Sequence, residues 1–507
     1  MTPVHTARSY WIICLLLLPA AIFSAFDRPW VQTADMWETA AAIRAASVNP
    51  FHPSNPLLPL PGDTSPRFVP YVIFWGAVGH ATGWGVFTVV GLAGVVNFLL
   101  FVSGLARWIT LQFKDPRVAP VLLVVMLTVW GTGYAYANGY EFGHFLDTLS
   151  LVGMFVYGVS FHALAFLRRY LDQSRWGSLL AYALLSVLAF VTHPITAAFL
   201  FVAAGAMLLS EGNLKRTLLF QIVPLVAVGL AMFWPYFSYW QVITDGSTEN
   251  WFPHTLFSGQ IPAMGAALLG IPLAIYYYRK RRYMAAVLGA FFCLAIYALC
   301  GATRIFIGNR FILYGAIFLH LLIALYLLEN RPQWWKNISL RQPRSLFKLA
   351  MVLVLFVPAL YFRGGEVIRL TRDVAHRALG SNHPETTSDR FSFLSGQLTP
   401  SDIVLAEDDT GWPVPAISGA RLVSQQKGNP LIESEVERRR ADARKFFLES
   451  LSIEQRRELL KRYKVTHIVL DMWHRDTWDS MLFQQLTQIA REQIVQNKIA
   501  VYRVLPS

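Results

Sequence analysis

Charged side chains are scarce in this sequence. Asp, Glu, Lys and Arg together make up only 15% of its 507 residues, whereas 54% of the residues are hydrophobic and 14% are aromatic. Soluble globular domains have about 25% charged residues. The composition therefore argues against a soluble protein and indicates that much of the chain lies in a lipid bilayer.

Cysteine and the common motifs of soluble enzymes are also nearly absent. All three cysteines lie in apolar segments, so they cannot join loops outside the membrane, and their spacing matches no metal motif. The sequence has no internal repeat, no Walker motif, no HExxH and no nucleophile elbow. Soluble nucleotide chemistry is therefore unsupported.

Long apolar runs recur along the first 363 residues. They predict about eleven membrane-spanning helices, several of them short for the ~20 residues that a perpendicular helix needs. The stretch 178–210 could be one tilted helix, but Thr192, His193 and Pro194 at its centre favour two short helices joined by a tight turn. The predicted spans are 10–26, 86–106, 119–137, 149–166, 178–192, 195–210, 218–238, 261–278, 284–300, 311–328 and 349–362.

The placement of positive charge predicts the orientation of these spans. If the N-terminus is cytoplasmic, 18 Lys and Arg residues fall in inner segments and only 6 in outer segments up to residue 363. Lys and Arg accumulate in short cytoplasmic loops, so this asymmetry supports a cytoplasmic N-terminus and an extracytoplasmic C-terminal region. We expect a multi-pass protein of the inner (plasma) membrane.

The net charge of +13 follows from the same asymmetry. Residues 364–507 carry 20 basic and 19 acidic residues, so the remaining +12 belongs to residues 1–363. The high pI of 9.7 is thus a consequence of topology. We expect membrane lipids as partners and no nucleic acid.

Two acidic residues stand just after the first apolar segment, in the long outer loop 27–85. Asp35 and Glu38 lie in the helix-like stretch TADMWETAAAIRAA, which would hold Asp35 at its amino end. An unpaired carboxylate at a membrane surface is costly unless it does chemistry or has a partner. The alternative is that Asp35 only caps the helix, which is worth ~1 kcal/mol.

The same loop continues with seven prolines between Pro50 and Pro70, which exclude a regular helix. We expect an ordered, extended arch. The arch is either a rigid spacer or a binding surface for a hydroxyl-rich ligand. Candidate substrate-binding residues in it are His52, Asn55, Arg67 and Tyr71.

The next outer loop brings three potential ligands together within seven residues, namely Glu141, His144 and Asp147. Glu141 and His144 are spaced to share a helix face. A metal site needs about three convergent ligands, and this loop would need help from Asp35 or Glu38 to complete one. A divalent metal is possible on this pattern, no cofactor is certain, and ordinary loop solvation is the alternative.

Two arginines depart from the charge asymmetry on the outer side. Arg304 and Arg310 lie in ATRIFIGNRFILY, where Arg310 directly precedes a span. Such an arginine can snorkel out of the bilayer, or it can clamp a phosphate through its planar fork of donors. We favour the phosphate interpretation, with Arg310 first and Arg304 second.

Residues 364–507 differ in character from the rest. DIVLAE, VTHIVLDM and IAVYRVL are typical of strands, and 433–449 and 452–463 are typical of polar helices, followed by an amphipathic stretch 477–494. This alternation predicts a small α/β domain. The fold class is therefore an α-helical polytopic membrane protein, with domain 1–363 in the membrane and the extracytoplasmic α/β domain at 364–507.

The arrangement resembles the GT-C superfamily of integral-membrane glycosyltransferases, which includes protein O-mannosyltransferases and aminoarabinose transferases of lipid A. The resemblance rests on the early outer Asp, the arch ending in SPRFVPY, the THP turn, the late NRF arginine and a terminal outer domain. It implies a sugar donor carried on polyprenyl phosphate and an acidic residue of the first outer loop as catalytic base. Asp35 matches that position best, with Glu38 second; Met36 and Trp37 separate the two, so the paired acidic motif of many members is absent.

We therefore expect a glycosyltransferase that moves a sugar from a polyprenyl-phosphate donor to a glycan, lipid or protein acceptor outside the cytoplasm, with inversion. A ligase or polymerase of lipid-linked glycans is an alternative, because the same arginines would serve it. A transporter or flippase is expected to carry ionisable groups deep in its spans, and here these are almost absent. A structural membrane component without catalysis is the remaining alternative.

Overall fold

The computed structural model describes residues 6–27, 34–60, 65–133, 139–212, 220, 222–244, 257–336, 357, 361–376, 386–426, 429 and 431–506. The described chain is mainly helical and divides into two compact units. Unit 1 comprises Met1–Ala25, Ala93–Phe233 and Glu249–His383, and unit 2 comprises Phe26–Leu92, Trp234–Thr248 and Pro384–Ser507. The predicted class, apolar helices with a small C-terminal sheet, is confirmed.

Unit 1 is built from apolar helices. In the described part of the chain, five helices are long and apolar enough to cross a membrane, and they are Arg8–Asp27, Val86–Phe113, Gln260–Arg279, Met284–Ala302 and Gly308–Asn330. Both Arg8–Asp27 and Val86–Phe113 extend beyond the boundary of unit 1. The other helices of unit 1 are Val118–Thr128, Phe142–Asp147, Val152–Gln173, Trp176–Thr192, Pro194–Ser210, Ile222–Ala231 and 361–376. The predicted number of spans stays a prediction, and the predicted span 349–362 lies largely outside the described residues.

The predicted break in the stretch 178–210 is confirmed. One helix ends at Thr192 and the next begins at Pro194, whose fixed φ suits the first helical position. His193 lies between them, and its Nδ1 accepts a hydrogen bond of 3.2 Å from the Thr196 amide. The side chain of His193 thus satisfies an amide at the start of the second helix.

Within the described part of the predicted span 119–137, which ends at residue 133, the helix covers Val118–Thr128. After Thr128 the chain runs beside Pro262 and Ala263, with amide-to-carbonyl distances of 3.1 Å from Gly131 to Ala263 and 2.9 Å from Thr132 to Pro262. A Cβ at Gly131 would lie 1.8 Å from the Pro262 oxygen, so only glycine allows this approach. Backbone pairing replaces the last turns of the predicted helix.

Unit 2 contains the loop 27–85 together with the C-terminal region. Helix Ala34–Val48 packs on helix Pro70–Thr82, and a Cβ at Gly76 would lie only 2.3 Å from Ala46 Cβ, so small residues allow the close approach. Three further short helices of unit 2 are Tyr239–Thr244, Thr387–Phe391 and Pro413–Ser418. The Leu422 amide donates to the Leu57 carbonyl at 2.6 Å, so the arch is paired with the C-terminal region.

The C-terminal region contains a five-stranded sheet of order β2-β1-β3-β5-β4. Its strands are β1 Ile403–Leu405, β2 Arg421–Leu422, β3 His467–Asp471, β4 Ala490–Gln496 and β5 Ile499–Val504. β1 is parallel to β2 and β3, while β5 is antiparallel to β3 and β4. Helices Glu433–Leu448, Ile453–Arg462 and Leu482–Ile489 accompany the sheet, so the predicted strands and polar helices are confirmed.

The predicted amphipathic stretch 477–494 is wrong in its second half. Its helix covers only Leu482–Ile489, and the chain then enters β4, which forms a hairpin with β5. Asn497 and Lys498 make the turn with φ of 52° and 61°. Two consecutive residues at positive φ form the kind of turn that matches the twist of a β-hairpin.

Candidate functional site

Two acidic residues of the loop 27–85, Asp35 and Glu38, share one face of a helix. The helix begins at Ala34, so Asp35 lies in its first turn, where a negative charge is favourable, and Glu38 follows three residues later. The predicted position of Asp35 at the amino end of a helix is confirmed. Thr33, which the sequence also allows as the cap of this helix, lies outside the described residues.

The arch places Arg67 against both carboxylates. Arg67 Nη2 donates a hydrogen bond to Glu38 Oε2 and lies 3.7 Å from Asp35 Oδ1. The Glu38 side chain is only 2% exposed, whereas those of Asp35 and Arg67 are 44% and 32% exposed. We name this group, Asp35, Glu38 and Arg67, the acid–arginine cluster.

The positive charge of Arg67 and the negative charges of Glu38 and Asp35 stabilise one another. Burial lowers the pKa of Arg67, but the charges of Glu38 and Asp35 and the hydrogen bond to Glu38 outweigh it, so this pKa lies above its usual value. Arg67 therefore stays cationic and balances the buried Glu38. The second oxygen of Glu38, Oε1, is buried without a hydrogen-bond partner among the described residues.

The two carboxylates therefore differ in what they can reach. Glu38 is buried and held by Arg67, so its position is fixed. Asp35 is the exposed member, and a ligand in the surrounding solvent can approach its carboxylate directly. A positioned, accessible carboxylate beside a permanent cation can accept a proton from a hydroxyl group.

The other candidate residues of the arch have different surroundings. Asn55 is buried, and its Oδ1 accepts hydrogen bonds of 3.0 Å from the amides of Leu57 and Leu58, so it shapes the turn of the arch. Tyr71 is buried on helix Pro70–Thr82, whereas His52 is exposed. Arg67 contacts the two acids, and the substrate-binding roles of the other residues stay predictions.

The candidate ligands Glu141, His144 and Asp147 belong to unit 1. Helix Phe142–Asp147 carries half-buried His144 and buried Asp147, while Glu141 precedes the helix and is 3% exposed. Among the described residues, no group of three or more His, Cys, Asp or Glu side chains is arranged to hold a metal ion. A metal role for this loop therefore stays a prediction.

Sequence reasoning missed a buried ion pair that holds this loop. Arg363 donates to Glu366 Oε1 at 2.6 Å and to the Gly131 carbonyl at 3.1 Å, while Glu366 Oε2 accepts from the Gly143 amide at 2.9 Å. Arg363 is 4% exposed. The pair thus fixes helix Phe142–Asp147 against the chain segment at Gly131. The only signal in the sequence was an arginine and a glutamate three residues apart after an apolar run.

Arg304 and Arg310 occupy contrasting positions. Arg304 is exposed and has a φ of 58°. Arg310 ends the 3₁₀ helix Phe306–Arg310, is partly buried, and lies in the neighbourhood of Tyr157 and Tyr314. Buried environments with aromatic hydroxyl groups strengthen the interaction of a guanidinium with an anion.

Unpartnered polar atoms accompany Arg310. Asn309 is 2% exposed, and neither of its amide atoms has a hydrogen-bond partner among the described residues. The buried hydroxyl of Tyr157 likewise lacks a partner within the described ranges, whereas that of Tyr314 donates to the Ile195 carbonyl at 2.7 Å. Buried polar groups without partners are rare in proteins and require an explanation, such as a bound ligand.

The fold is shared with solved membrane glycosyltransferases. ArnT from Cupriavidus metallidurans, solved with undecaprenyl phosphate bound, aligns over 99% of this chain and 99% of its own, with a TM-score of 0.54 and 14% identity. The oligosaccharyltransferase AglB from Archaeoglobus fulgidus, solved with an inhibitory peptide and a dolichol-phosphate, aligns over 96% of this chain and 73% of its own, with a TM-score of 0.54 and 12% identity. The arabinofuranosyltransferase AftD from Mycobacteria aligns over 99% of this chain and 40% of its own, with a TM-score of 0.54 and 12% identity.

These three proteins are membrane glycosyltransferases of the GT-C superfamily. At such identities the likeness shows the fold, and the GT-C resemblance predicted from the sequence is confirmed at that level. No protein-family model matches the sequence, and no curated protein matches it.

Proposed function

We propose that this chain is a multi-pass membrane glycosyltransferase that transfers a sugar from a polyprenyl-phosphate donor to a hydroxyl group outside the cytoplasm. The observation that carries the proposal is the acid–arginine cluster, in which exposed Asp35 lies 3.7 Å from Arg67. The shared fold supports it, because ArnT was solved with undecaprenyl phosphate and AglB with a dolichol-phosphate. The acceptor class, whether glycan, lipid or protein, is left to experiment.

Asp35 is the general base in this proposal. Its carboxylate accepts the proton of the acceptor hydroxyl as the oxygen attacks the anomeric carbon. A new C–O bond forms there while the bond from that carbon to the phosphate oxygen breaks, and the lipid phosphate leaves with the electron pair. Attack from the face opposite the phosphate inverts the anomeric centre.

Glu38 and Arg67 act as positioning residues. The buried carboxylate of Glu38 forms an ion pair with Arg67, and the charge of Arg67 in turn orients Asp35. Removing Glu38 would leave Arg67 without its buried partner, so Asp35 would lose its fixed position rather than its own chemistry. Glu38 becomes the base only if Asp35 proves dispensable.

Arg310 is the residue that we assign to the donor phosphate. Negative charge grows on the phosphate oxygens as the sugar leaves, and a guanidinium in a water-poor site stabilises that charge strongly. Two observations support this role: Arg310 is partly buried, and the side-chain amide of Asn309 beside it has no hydrogen-bond partner within the described ranges. Arg304 is exposed and is the weaker candidate.

The proposed topology has a cytoplasmic N-terminus, and residues 364–507 outside the cytoplasm. It rests on the distribution of Lys and Arg, with 18 inside and 6 outside up to residue 363. A reporter that is active only in the cytoplasm should give no signal when fused after Ser507. A strong signal would reverse the orientation and place the acid–arginine cluster on the cytoplasmic side.

A ligase of lipid-linked glycans is the second candidate, because the oligosaccharyltransferase AglB shares the fold. It would transfer a preassembled glycan instead of one sugar, using the same base and phosphate clamp. Mass spectrometry of extractable glycans and glycolipids, compared in cells with and without the gene, separates the two. If the cells without the gene lack one sugar unit on a product, the glycosyltransferase is supported, and if they lack a whole glycan, the ligase is supported. If the profile is the same in cells without the gene and in cells that make the protein, both candidates are contradicted.

A further inference from the structure

A cavity lies within the C-terminal region of unit 2, and its lining residues do not belong to the acid–arginine cluster. It has a volume of about 290 Å³ and lies between helix Glu433–Leu448, the segment after β1 and the 3₁₀ helix Met472–Thr477 that follows β3. Clefts of ~300–1,000 Å³ hold small-molecule ligands, so this one suits a ligand of one or two rings. None of its residues has a role in the transfer chemistry described above.

One wall of the cavity is apolar. Helix Glu433–Leu448 contributes Ala443, Phe447 and Leu448 to the lining. Phe447 is only 1% exposed and Leu448 is 49% exposed, so a firmly packed ring adjoins a more accessible aliphatic side chain. Such a surface accommodates the C–H face of a ring without needing hydrogen bonds.

The opposite side supplies hydrogen-bond acceptors. Glu407 and Asp409 both line the cavity, and Asp409 Oδ1 accepts a hydrogen bond of 3.1 Å from Gln426. Glu407 Oε2 is buried and lies 3.3 Å from His474 Nδ1, and the carboxylate has lone pairs for a further donor. Burial raises the pKa of Glu407, and Trp478 and His474 counter this only in part. A ligand hydroxyl that donates to Glu407 would satisfy the oxygen.

Donors complete the lining. Arg444, His474 and the hydroxyl of Thr477 lie around the same cavity as the two carboxylates. The balance of charges disfavours a polyphosphate, because two carboxylates would repel it. Within the described residues no three potential ligands are arranged for a metal ion. A ligand with many hydroxyl groups and an apolar face matches both the mixed donors and acceptors and the apolar wall.

We propose that this cavity binds a saccharide unit, with its ring against Phe447 and Leu448 and its hydroxyl groups on Glu407, Asp409 and His474. In the enzyme, the bound saccharide would be part of the glycan acceptor. This acceptor role rests on the proposed function, whereas the binding of a saccharide does not. The site would give the enzyme a hold on the acceptor through residues that take no part in bond making.

The test measures binding directly, using full-length protein in nanodiscs and the methyl glycosides of glucose, galactose, mannose and arabinose. Saturation-transfer NMR is expected to give a signal from at least one glycoside. Glu407→Gln and Asp409→Asn each remove a charged acceptor, so the dissociation constant of that glycoside should rise roughly tenfold or more. Asp476→Asn makes the same chemical change at an exposed residue outside the lining and should leave binding unchanged.

The outcomes also separate this proposal from the proposed function. The Asp35→Asn variant should bind the glycoside as wild type does, because Asp35 is not part of the cavity. If no glycoside binds, or if Glu407→Gln and Asp409→Asn bind like Asp476→Asn, the saccharide site is wrong whatever the turnover. If Asp35→Asn keeps full turnover, the assigned base is wrong while the binding result stands.

Discussion

Two arginine–carboxylate groups of unit 2 have similar chemistry and opposite surroundings. Arg456 is 0% exposed and pairs with Asp479, which is 4% exposed, and it also donates to Gln485 at 2.7 Å and to the Glu449 carbonyl at 3.2 Å. In the acid–arginine cluster, Arg67 is 32% exposed and Asp35 is 44% exposed. One group is enclosed by protein, and the other is open on one side.

The difference shows what each group does. The bonds of Arg456 tie helix Ile453–Arg462 to the end of helix Glu433–Leu448 and to the chain at Asp479. Such a buried, well-bonded pair is structural, and breaking it leaves an uncompensated charge. The acid–arginine cluster instead leaves one carboxylate accessible and one buried oxygen without a hydrogen-bond partner among the described residues, which is the arrangement expected of a site that meets a ligand.

The largest effect on turnover is expected from Asp35→Asn. The amide keeps the size of Asp35 but cannot accept the proton, so turnover should fall by ~10²–10⁴ while folding is preserved. Turnover and thermal unfolding are measured on the same purified protein in detergent. Loss of the favourable negative charge in the first helical turn would by itself cost only ~0.3–1 kcal/mol of stability and would leave turnover of the folded protein intact.

The matching substitution in the enclosed group is Arg456→Met. Removing one partner of a buried pair should lower the free energy of unfolding by ~3–5 kcal/mol, without changing turnover per folded molecule. Arg462→Met is the control and should change stability little, since Arg462 is 45% exposed and solvent screens its ion pairs with Asp442 and Glu458. The free energy of unfolding of both variants is measured by denaturant titration of the full-length protein, with protease cleavage within residues 386–506 as the signal for unfolding. Equal effects of the two substitutions would contradict the contrast.

Arg310→Lys tests the phosphate assignment. Lysine keeps the positive charge but loses the planar fork, so turnover should fall by ~10-fold or more. Arg304→Lys makes the same change at the exposed arginine and should leave turnover close to that of wild type. If the two results are reversed, Arg304 holds the phosphate.

The smallest effect is expected from Arg67→Lys. The ammonium can keep the ion pair with Glu38 but cannot orient both carboxylates with a rigid fork, so turnover should fall by roughly three- to tenfold. Arg438→Lys, at an exposed arginine that pairs with Glu435, is the matched control and should have no effect. Wild-type turnover in Arg67→Lys would mean that the arch does not position Asp35.

Local patterns in the sequence predicted much of this structure. The alanine-rich stretch after Asp35, the proline at 194 and the β-branched runs of β1, β3 and β5 carry their information within a few residues. Helix breaks and strands depend mainly on such short-range effects, and the break at His193 and the strands β1, β3 and β5 were predicted correctly. Strands β2 and β4 were not predicted, because β2 has only two residues and REQIVQ is equally compatible with the end of an amphipathic helix until its pairing with β5 is known.

Contacts between distant residues could not be predicted in the same way. Arg67 reaches Glu38 across 29 residues, through an arch whose prolines exclude a helix but do not specify its path. The Arg363 contact with the Gly131 carbonyl joins residues 232 apart. Packing decides both contacts, and a single sequence carries no local signal for them.

The central claim is that the donor is cleaved, and it can be tested by following the polyprenyl phosphate. Purified protein in liposomes is given a polyprenyl-phosphate-linked sugar and an extract of acceptor glycans, and the lipid products are measured by mass spectrometry. The account predicts that wild type releases free polyprenyl phosphate in step with sugar transfer, and that Asp35→Asn releases it ~10²–10⁴ times more slowly. Movement of intact donor across the bilayer without cleavage, or equal release by wild type and Asp35→Asn, would contradict it.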